Sequence, residues 1–168
     1  MIIFFYCLIL FIISQRLLEL IYSNINTKRL LKDGAIEYGK KHYPLFIVLH
    51  STWIISIFIY APQNKEANFL FLIIFFIMQI ARVWVLVTLG KFWTTRIISP
   101  LDQPLIKKGP YKYFKHPNYL IVCVEIAALP LVYNLLIIAI LFSIANLILV
   151  FWRINVENKA LNKRIFIT

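Results

Sequence analysis

Five apolar runs, separated by polar stretches, alternate along the chain. The runs cover residues 1–22, 43–60, 69–89, 119–133 and 135–152. A helix needs about 20 apolar residues to cross the hydrocarbon core of a bilayer, and the first and third runs have that length. The fourth run is shorter because Pro130 interrupts it, and the uncharged turn after it favours a tight hairpin with the fifth. The pattern predicts an all-α integral membrane protein of about five transmembrane helices, with residues 1–168 forming a single domain.

The basic residues are divided unequally among the polar stretches. The stretches after the first and third runs, and the tail 153–168, hold nearly all the lysine and arginine, whereas the other two hold only Lys65. Cytoplasmic loops carry the excess of basic residues, so we expect a cytoplasmic C-terminus and an N-terminus outside. The first run has no basic residue before it and no small-residue cleavage site, which predicts a retained helix and not a signal peptide.

Composition supports the same class. The chain is 61% hydrophobic, against about 45–50% in soluble domains. The net charge of +11 would suggest a nucleic-acid partner in a soluble protein. Here it follows from the basic cytoplasmic stretches, so we expect membrane lipids and no nucleic acid as partners. Cys7 and Cys123 lie in apolar runs, and no disulfide or metal-binding spacing is visible.

Polar residues recur at one depth in the predicted helices. Each lies roughly 10 Å from the cytoplasmic helix end, at about 1.5 Å per residue. A charge at that depth is costly unless it is paired or faces a wet cavity. We therefore expect Arg82 and Glu125 to pair, and the layer to line a cavity that opens to the cytoplasm; the alternative is that these groups only hold the helices together. The layer consists of Gln15, His50, Arg82, Glu125 and Asn146.

The longest polar, turn-rich stretch, residues 108–119, lies directly before the fourth run. Its Gly-Pro pair indicates a turn, and Pro117 disfavours helix at His116. In the tail, Arg153 and Glu157 are four residues apart and share one helix face. By topology that face lies beside the 108–119 loop, so a zwitterionic cofactor could bind between them. The alternative is a basic surface loop that only sets topology.

The sequence resembles the isoprenylcysteine carboxyl methyltransferase family in the block Gly109-Pro110-Tyr111 … Lys115-His116-Pro117-Asn118-Tyr119, followed by Arg153, Glu157 and Leu161. Three further stretches fit its short bacterial branch, which includes enzymes that methylate alkylpyrones: residues 37–44, 50–53 and 89–97. The resemblance covers most of the chain, from about Arg16 to Leu161. The His-Pro-x-Tyr core by itself also occurs in phospholipid N-methyltransferases and membrane sterol reductases.

The resemblance implies an enzyme of the bacterial cell membrane that uses S-adenosyl-L-methionine to methylate an oxygen of a lipophilic acceptor. The acceptor would be a prenylated carboxylate, or a hydroxyl or enol such as that of an alkylpyrone. Arg153 would orient the acceptor oxygen or the cofactor carboxylate. Arg82 would act with it in catalysis, and the apolar faces of the second to fourth helices would hold the acceptor's tail. The residues expected at the cofactor are Gly109, Tyr111, Lys115, His116, Pro117, Asn118, Tyr119, Glu157 and Asn158. Those expected at the acceptor are His50, Arg82, Glu125 and Asn146.

The chain departs from the family pattern at two positions. Lys115 stands where the family usually has arginine, which keeps the charge but loses the bidentate geometry. Asn158 stands where the family often has a second acid, so it would supply hydrogen bonds instead. Three other functions stay open: a phospholipid N-methyltransferase, an NADPH-dependent membrane reductase, and a non-catalytic membrane scaffold.

Overall fold

The computed structural model describes residues 2–61, 66–100 and 104–165, and this part of the chain is mostly helical. Its helices are α1 (Ile2–Lys32), α2 (Tyr43–Tyr60), α3 (Phe69–Leu89), α4 (Pro117–Val132) and α5 (Leu136–Ile165). The bounds of α2 and α3 agree with the sequence prediction. Two short strands, β1 (Ile36–Tyr38) and β2 (Ile97–Ser99), form an antiparallel ribbon in which Glu37 lies opposite Ile98. The fold is therefore helical, as predicted, apart from this ribbon.

Four helical segments are long and apolar enough to cross a membrane: Ile2–Lys32, Lys40–Tyr60, Phe69–Phe92 and Leu136–Leu161. The remaining helix, α4, has 16 residues, which gives it a length of about 24 Å at 1.5 Å per residue. The hydrocarbon core is about 30 Å thick, so α4 is short for a full crossing. It packs between α3 and α5, and a fifth crossing stays a prediction.

Helix α1 is longer than its apolar run. It continues to Lys32 because the polar residues of its last turns are buried against the 90–95 segment. Ser23 Oγ lies 2.8 Å from Thr95 Oγ1, and Asn26 donates a hydrogen bond of 2.8 Å to the Trp93 carbonyl. The helix therefore extends beyond the predicted membrane span, whose end at about residue 22 stays a prediction. Helix α5 likewise continues into the basic tail, as far as Ile165.

The two ends of the bundle differ. At one end, large apolar side chains pack into a closed core that includes Phe5, Trp53, Ile57, Phe75 and Leu129. At the other end, α1 and α3 finish, α2 and α4 begin, and both long connections lie; we call this the loop end. A tight turn between α4 and α5 confirms the predicted hairpin. Lys65, on the short connection opposite the loop end, lies outside the described residues.

Candidate active site

A cluster of charges is buried where α1, α3 and α4 meet. Glu125, 1% exposed, accepts hydrogen bonds from Arg82 Nε and Gln79 Nε2, both at 2.9 Å, and from Arg16 Nη2 at 2.7 Å. A second bond joins Arg82 Nη2 to Glu125. Glu19 accepts from Arg16 Nη1 at 3.0 Å and from Arg82 Nη1 at 3.3 Å. We call these five residues the buried charge cluster.

The cluster confirms the expected pair of Arg82 and Glu125 and adds a partner from α1. Two guanidinium groups face two carboxylates, so the cluster carries no excess charge. Such compensation is what allows charges to lie within a membrane-spanning bundle. Every nitrogen of the Arg82 guanidinium already donates to a carboxylate. Arg82 is therefore poorly placed to hold an acidic acceptor head as well.

A cavity of about 400 Å³ lies between α1 and α2; we call it the inner cavity. Most of its wall is apolar surface, to which Ile13 and Leu17 of α1 and Ile54 of α2 contribute. Arg16, Glu19, Arg82 and His50 give it a polar side. That the second to fourth helices hold the acceptor's tail stays a prediction; in this cavity α1 supplies one wall, and α3 contributes only Arg82 among the described residues.

The polar layer predicted from depth does not form one wall. His50 and Arg82 line the inner cavity, whereas Glu125 lies behind Arg82 and does not reach the described cavity surface. Asn146 is fully buried on α5, where its amide donates to Cys123 Sγ at 3.4 Å. Equal depth fixed the level of each residue along its helix but not the face on which it lies. Of the layer, the structure brings only His50 and Arg82 to the described lining of the inner cavity.

His50 has a defined orientation in the inner cavity. Its Nδ1 lies 2.8 Å from the carbonyl oxygen of Phe46, one helical turn earlier. A carbonyl only accepts, so in the neutral imidazole the proton is on Nδ1 and Nε2 is left as an acceptor. The inner cavity therefore offers a hydrogen-bond acceptor beside the cationic side chains.

A second cavity, of about 650 Å³, lies at the loop end between the 104–119 loop, strand β2 and the end of α5; we call it the outer cavity. Its size is within the range of about 300–1,000 Å³ that is typical of small-molecule sites. Tyr111, Lys115, His116 and Glu157 contribute to its wall. Burial, and then the carboxylate of Glu157, raise the pKa of the Tyr111 phenol above its usual value, so its hydroxyl stays protonated.

The two cavities have a wall in common. Five residues line both: Trp93, Thr94, Asn118, Tyr119 and Arg153. We call them the shared wall. A ligand in the outer cavity and another in the inner cavity would face each other across it.

Arg153 and Tyr119 form the polar centre of the shared wall. Arg153, 7% exposed, donates from Nε to the Tyr119 hydroxyl at 2.9 Å and from Nη2 to the Thr95 carbonyl at 2.7 Å. The Tyr119 hydroxyl in turn donates to the Glu157 carboxylate. The guanidinium also lies over the ring of Phe46, with 5.1 Å to the ring centroid. In the described part of the chain, Arg153 forms no ion pair, unlike Arg16 and Arg82.

The histidine of the His-Pro-x-Tyr block faces the same carboxylate. His116 Nδ1 lies 3.6 Å from Glu157 Oε2, and its ring stacks on Tyr119 with centroids 5.4 Å apart. Asn158 Oδ1 lies 3.3 Å from His116 Nε2. Asn158 does not reach the described lining of the outer cavity, so its contact with the site runs through the histidine.

The structure separates the residues expected at the cofactor into two groups. Tyr111, Lys115, His116, Asn118, Tyr119 and Glu157 line the outer cavity. Gly109 and Pro117 support the loop and do not appear among its described lining residues. Gly109 has a φ of 55°, and a Cβ there would lie 2.5 Å from Thr88 Oγ1. Pro117 is the buried first residue of α4.

Sequence reasoning did not assign roles to several residues of the site. Trp93 and Thr94 belong to the shared wall, and Thr95 joins three elements through Ser23, Tyr43 and Arg153. These side chains are neutral and lie in a short polar stretch, so neither charge nor helix depth distinguishes them. The resemblance of residues 89–97 to a stretch of the methyltransferase family was the sequence feature that could have indicated a role for these residues.

Fold and site together define a helical integral membrane protein with two adjoining cavities at the loop end. The chain belongs to the isoprenylcysteine carboxyl methyltransferase family, whose family model matches residues 70–163. The matched range contains the whole shared wall and the His-Pro-x-Tyr block. Family membership supports a membrane methyltransferase-like function.

Two relatives are similar over long stretches. The uncharacterized protein YpbQ of Bacillus subtilis (strain 168) is 39% identical over 163 residues, which is 95% of this chain and 97% of that protein. An uncharacterized protein of Haemophilus influenzae (strain ATCC 51907 / DSM 11121 / KW20 / Rd) is 30% identical over 114 residues, or 64% of this chain and 65% of that protein. No solved structure matches the chain.

Proposed function

We propose that the protein is an S-adenosylmethionine-dependent O-methyltransferase of a lipophilic acceptor. The observation that carries this proposal is the shared wall. A cavity with charged and hydrogen-bonding side chains that suit a cofactor and a largely apolar cavity that suits a lipid chain meet at Asn118, Tyr119 and Arg153. A methyltransferase must bring a polar donor and an apolar acceptor together at one point, and this arrangement does so.

The residues of the outer cavity fit the cofactor. S-adenosylmethionine carries an amino-acid end, a ribose and a cationic sulfur, and the cavity offers the carboxylate of Glu157, the imidazole of His116 and the ammonium of Lys115. Asn118 Oδ1 is buried without a hydrogen-bond partner among the described residues. A buried acceptor without a partner is costly, and an ammonium or hydroxyl donor would satisfy it. These residues would hold the cofactor, which supplies an already electrophilic methyl group.

The task of the chain is then positioning and exclusion of water. Arg153 is fixed by Tyr119, Thr95 and the Phe46 ring, so its guanidinium can orient an acceptor oxygen at the shared wall with little loss of freedom. Correct orientation of two reactants is worth about 7–11 kcal/mol of the barrier. A dry site also strengthens the electrostatic contribution of Arg153. An ionised acceptor needs no general base.

We favour a hydroxyl or enol acceptor, with alkylpyrones as the leading class. The buried charge cluster is neutral overall and each guanidinium nitrogen of Arg82 already donates to a carboxylate, so the deep part of the inner cavity does not call for a further carboxylate. His50 Nε2 is an acceptor in the neutral ring and suits a hydroxyl proton. A carboxylate bound to Arg153 is the second candidate. An amine acceptor is disfavoured, because Arg153 brings a positive charge to the shared wall and forms no ion pair among the described residues.

The proposal also includes an orientation of the protein in the membrane. The loop end carries both basic connections and the basic end of α5, so we place it on the cytoplasmic side, where S-adenosylmethionine is made, with the N-terminus outside. An acceptor chain would enter the inner cavity from the bilayer, between the aliphatic faces of α1 and α2.

Equilibrium binding of S-adenosylhomocysteine to the purified protein in detergent tests the cofactor site. We expect binding that both His116→Ala and Glu157→Ala weaken, while the matched variant Asn146→Ala, buried away from both cavities, leaves it unchanged. NADPH measured in parallel separates the alternatives. Binding of NADPH alone would support a reductase, and binding of neither ligand would support a scaffold.

A further inference from the structure

One face of the 104–116 loop is exposed, basic and aromatic. Tyr113 is 70% exposed and Phe114 54% exposed, and four exposed lysines surround them. The described residues 104–116 contain no acidic side chain. We call this face the basic-aromatic cap; it consists of Lys107, Lys108, Lys112, Tyr113, Phe114 and Lys115.

The cap is fixed to the bundle at its back. Pro110 is buried, and Tyr111 packs with Val85 and Ile121. A Cβ on Gly109 would lie 2.5 Å from Thr88 Oγ1 and 3.3 Å from Trp84 Nε1. Tyr113 and Phe114 are therefore not part of a frayed segment, because these contacts hold the backbone beside them while their side chains remain exposed.

The same contacts place the cap at the membrane boundary. Thr88 and Trp84 belong to the last two turns of α3, a helix that is long and apolar enough to cross a membrane. On the other side, α4 starts at Pro117, and Leu120, 51% exposed, already belongs to the apolar helix surface. Aromatic rings and lysines at this level are typical of the interface between hydrocarbon and head groups.

We propose that the basic-aromatic cap binds anionic phospholipid head groups, and that this contact raises the affinity of the outer cavity for a cationic ligand. All cap residues except Lys108 also contribute to the described wall of the outer cavity, among them Lys107, Lys112 and Lys115. Their ammonium groups repel a sulfonium cation, and screening by salt leaves such repulsion effective within about 10 Å. Anionic head groups on the outer side compensate these charges. This step rests on the proposed function for the identity of the cofactor.

The affinity test uses the full chain in nanodiscs, either of phosphatidylcholine alone or of an equal mixture of phosphatidylcholine and phosphatidylglycerol. We expect phosphatidylglycerol to tighten binding of S-adenosylmethionine about fivefold, the effect of one lysine at an anionic surface. S-adenosylhomocysteine lacks the sulfonium charge, so its affinity should change less. High salt should reduce the difference between the two lipids.

The variant Lys108→Gln, whose side chain lies outside the described wall of the outer cavity, should reduce the lipid response, whereas Lys28→Gln, which removes the same charge from the exposed end of α1, should keep it. In phosphatidylcholine alone, the cap variant should bind S-adenosylmethionine as tightly as the parent or more tightly. If it instead weakens both ligands equally in both lipids, the lysine contacts the cofactor directly and the inference is wrong.

A second measurement reports the lipid contact without any cofactor. In Phe114→Trp, the fluorescence gained over the parent should be quenched more by brominated phosphatidylglycerol than by brominated phosphatidylcholine. Equal quenching by the two lipids, or none, would overturn the inference. If quenching shows the preference but neither cofactor binds, it is the proposed function that fails, and the lipid site stands.

Discussion

The described part of the bundle contains the buried charge cluster and the shared wall, and these two polar groups differ in how far their charges are compensated. In the buried charge cluster, two arginines and two glutamates satisfy one another, and Glu125 is only 1% exposed. At the shared wall, Arg153 is held by a phenol, a carbonyl and an aromatic ring. The nearby Glu157 has a side chain that is 27% exposed.

This difference predicts which residues stabilise the fold and which take part in the reaction. A compensated cluster joins helices, because removing any one member leaves a buried charge without its partner. Donors and acceptors that are only partly compensated, at the junction of two cavities, remain available to ligands. We therefore expect substitutions in the cluster to unfold the protein, and substitutions at the shared wall to leave it folded but inactive.

The largest effect should come from Glu125→Gln. The change keeps the side-chain shape but leaves Arg16 and Arg82 facing a single carboxylate, Glu19. Breaking a buried ion pair costs about 3–5 kcal/mol of unfolding free energy. Thermal unfolding in detergent measures it, with Glu157→Gln as the control that should lose less than about 1 kcal/mol. Equal losses in both variants would remove the distinction between the two groups.

Arg153→Gln should mainly affect the reaction. Losing a positioned cation at the reacting oxygen lowers turnover about 10²–10³-fold, by analogy with removal of one oxyanion donor. Transfer of labelled methyl groups to a lipid-extractable product measures it. Binding of S-adenosylhomocysteine should persist, and Arg153→Lys should fall between the parent and Gln because it keeps the charge without the planar fork. Loss of cofactor binding in proportion to activity would make Arg153 a cofactor ligand instead.

Tyr119→Phe should have an intermediate effect. It removes the hydroxyl that connects Arg153 to Glu157 and leaves the ring in place. A lost hydrogen bond to charged groups is worth about 1.5–3 kcal/mol, so we expect cofactor affinity to fall at least tenfold. Tyr43→Phe is the matched control, since its hydroxyl bonds Thr95 Oγ1 at 3.1 Å but it lines only the inner cavity. Similar losses in both would show that the effect is not specific to the shared wall.

The positions of the helices and the polar character of the 108–119 loop could be predicted from the sequence, because both depend on the local pattern of polar and apolar residues. Helices α2 and α3 have the predicted bounds, and the pairing of Arg82 with Glu125 followed from the cost of a lone charge in a membrane. The depth of a residue along its helix could not show on which face of the helix its side chain lies. Asn146, predicted at the acceptor, points into the contact between α5 and α4.

Apart from the pair of Arg82 and Glu125, contacts between segments far apart in the chain were out of reach of the same reasoning. The β1–β2 ribbon joins two loops that each look like ordinary polar connections, and its Glu37 pairs with Arg96 at 3.5 Å. The spacing of three residues on a helix predicts a pair of Arg16 with Glu19. That pair forms, but Arg16 also reaches Glu125 on α4. One local partner satisfies a sequence rule, so the rule gives no reason to look for a distant one.

The smallest effect should come from Gly109→Ala, which tests how the loop that walls the outer cavity is held. The residue has a φ of 55°, and the new Cβ would lie 2.5 Å from Thr88 Oγ1. Strain of this kind costs about 1–3 kcal/mol, and we expect cofactor affinity to fall because the 108–119 loop shifts. The control Gly34→Ala, with a φ of 86° and no atom within 4 Å of its Cβ, carries backbone strain alone. The double change Gly109→Ala/Thr88→Ala removes the steric part, so it should recover affinity if contact with α3 positions the loop. Failure to recover would assign the whole effect to the backbone.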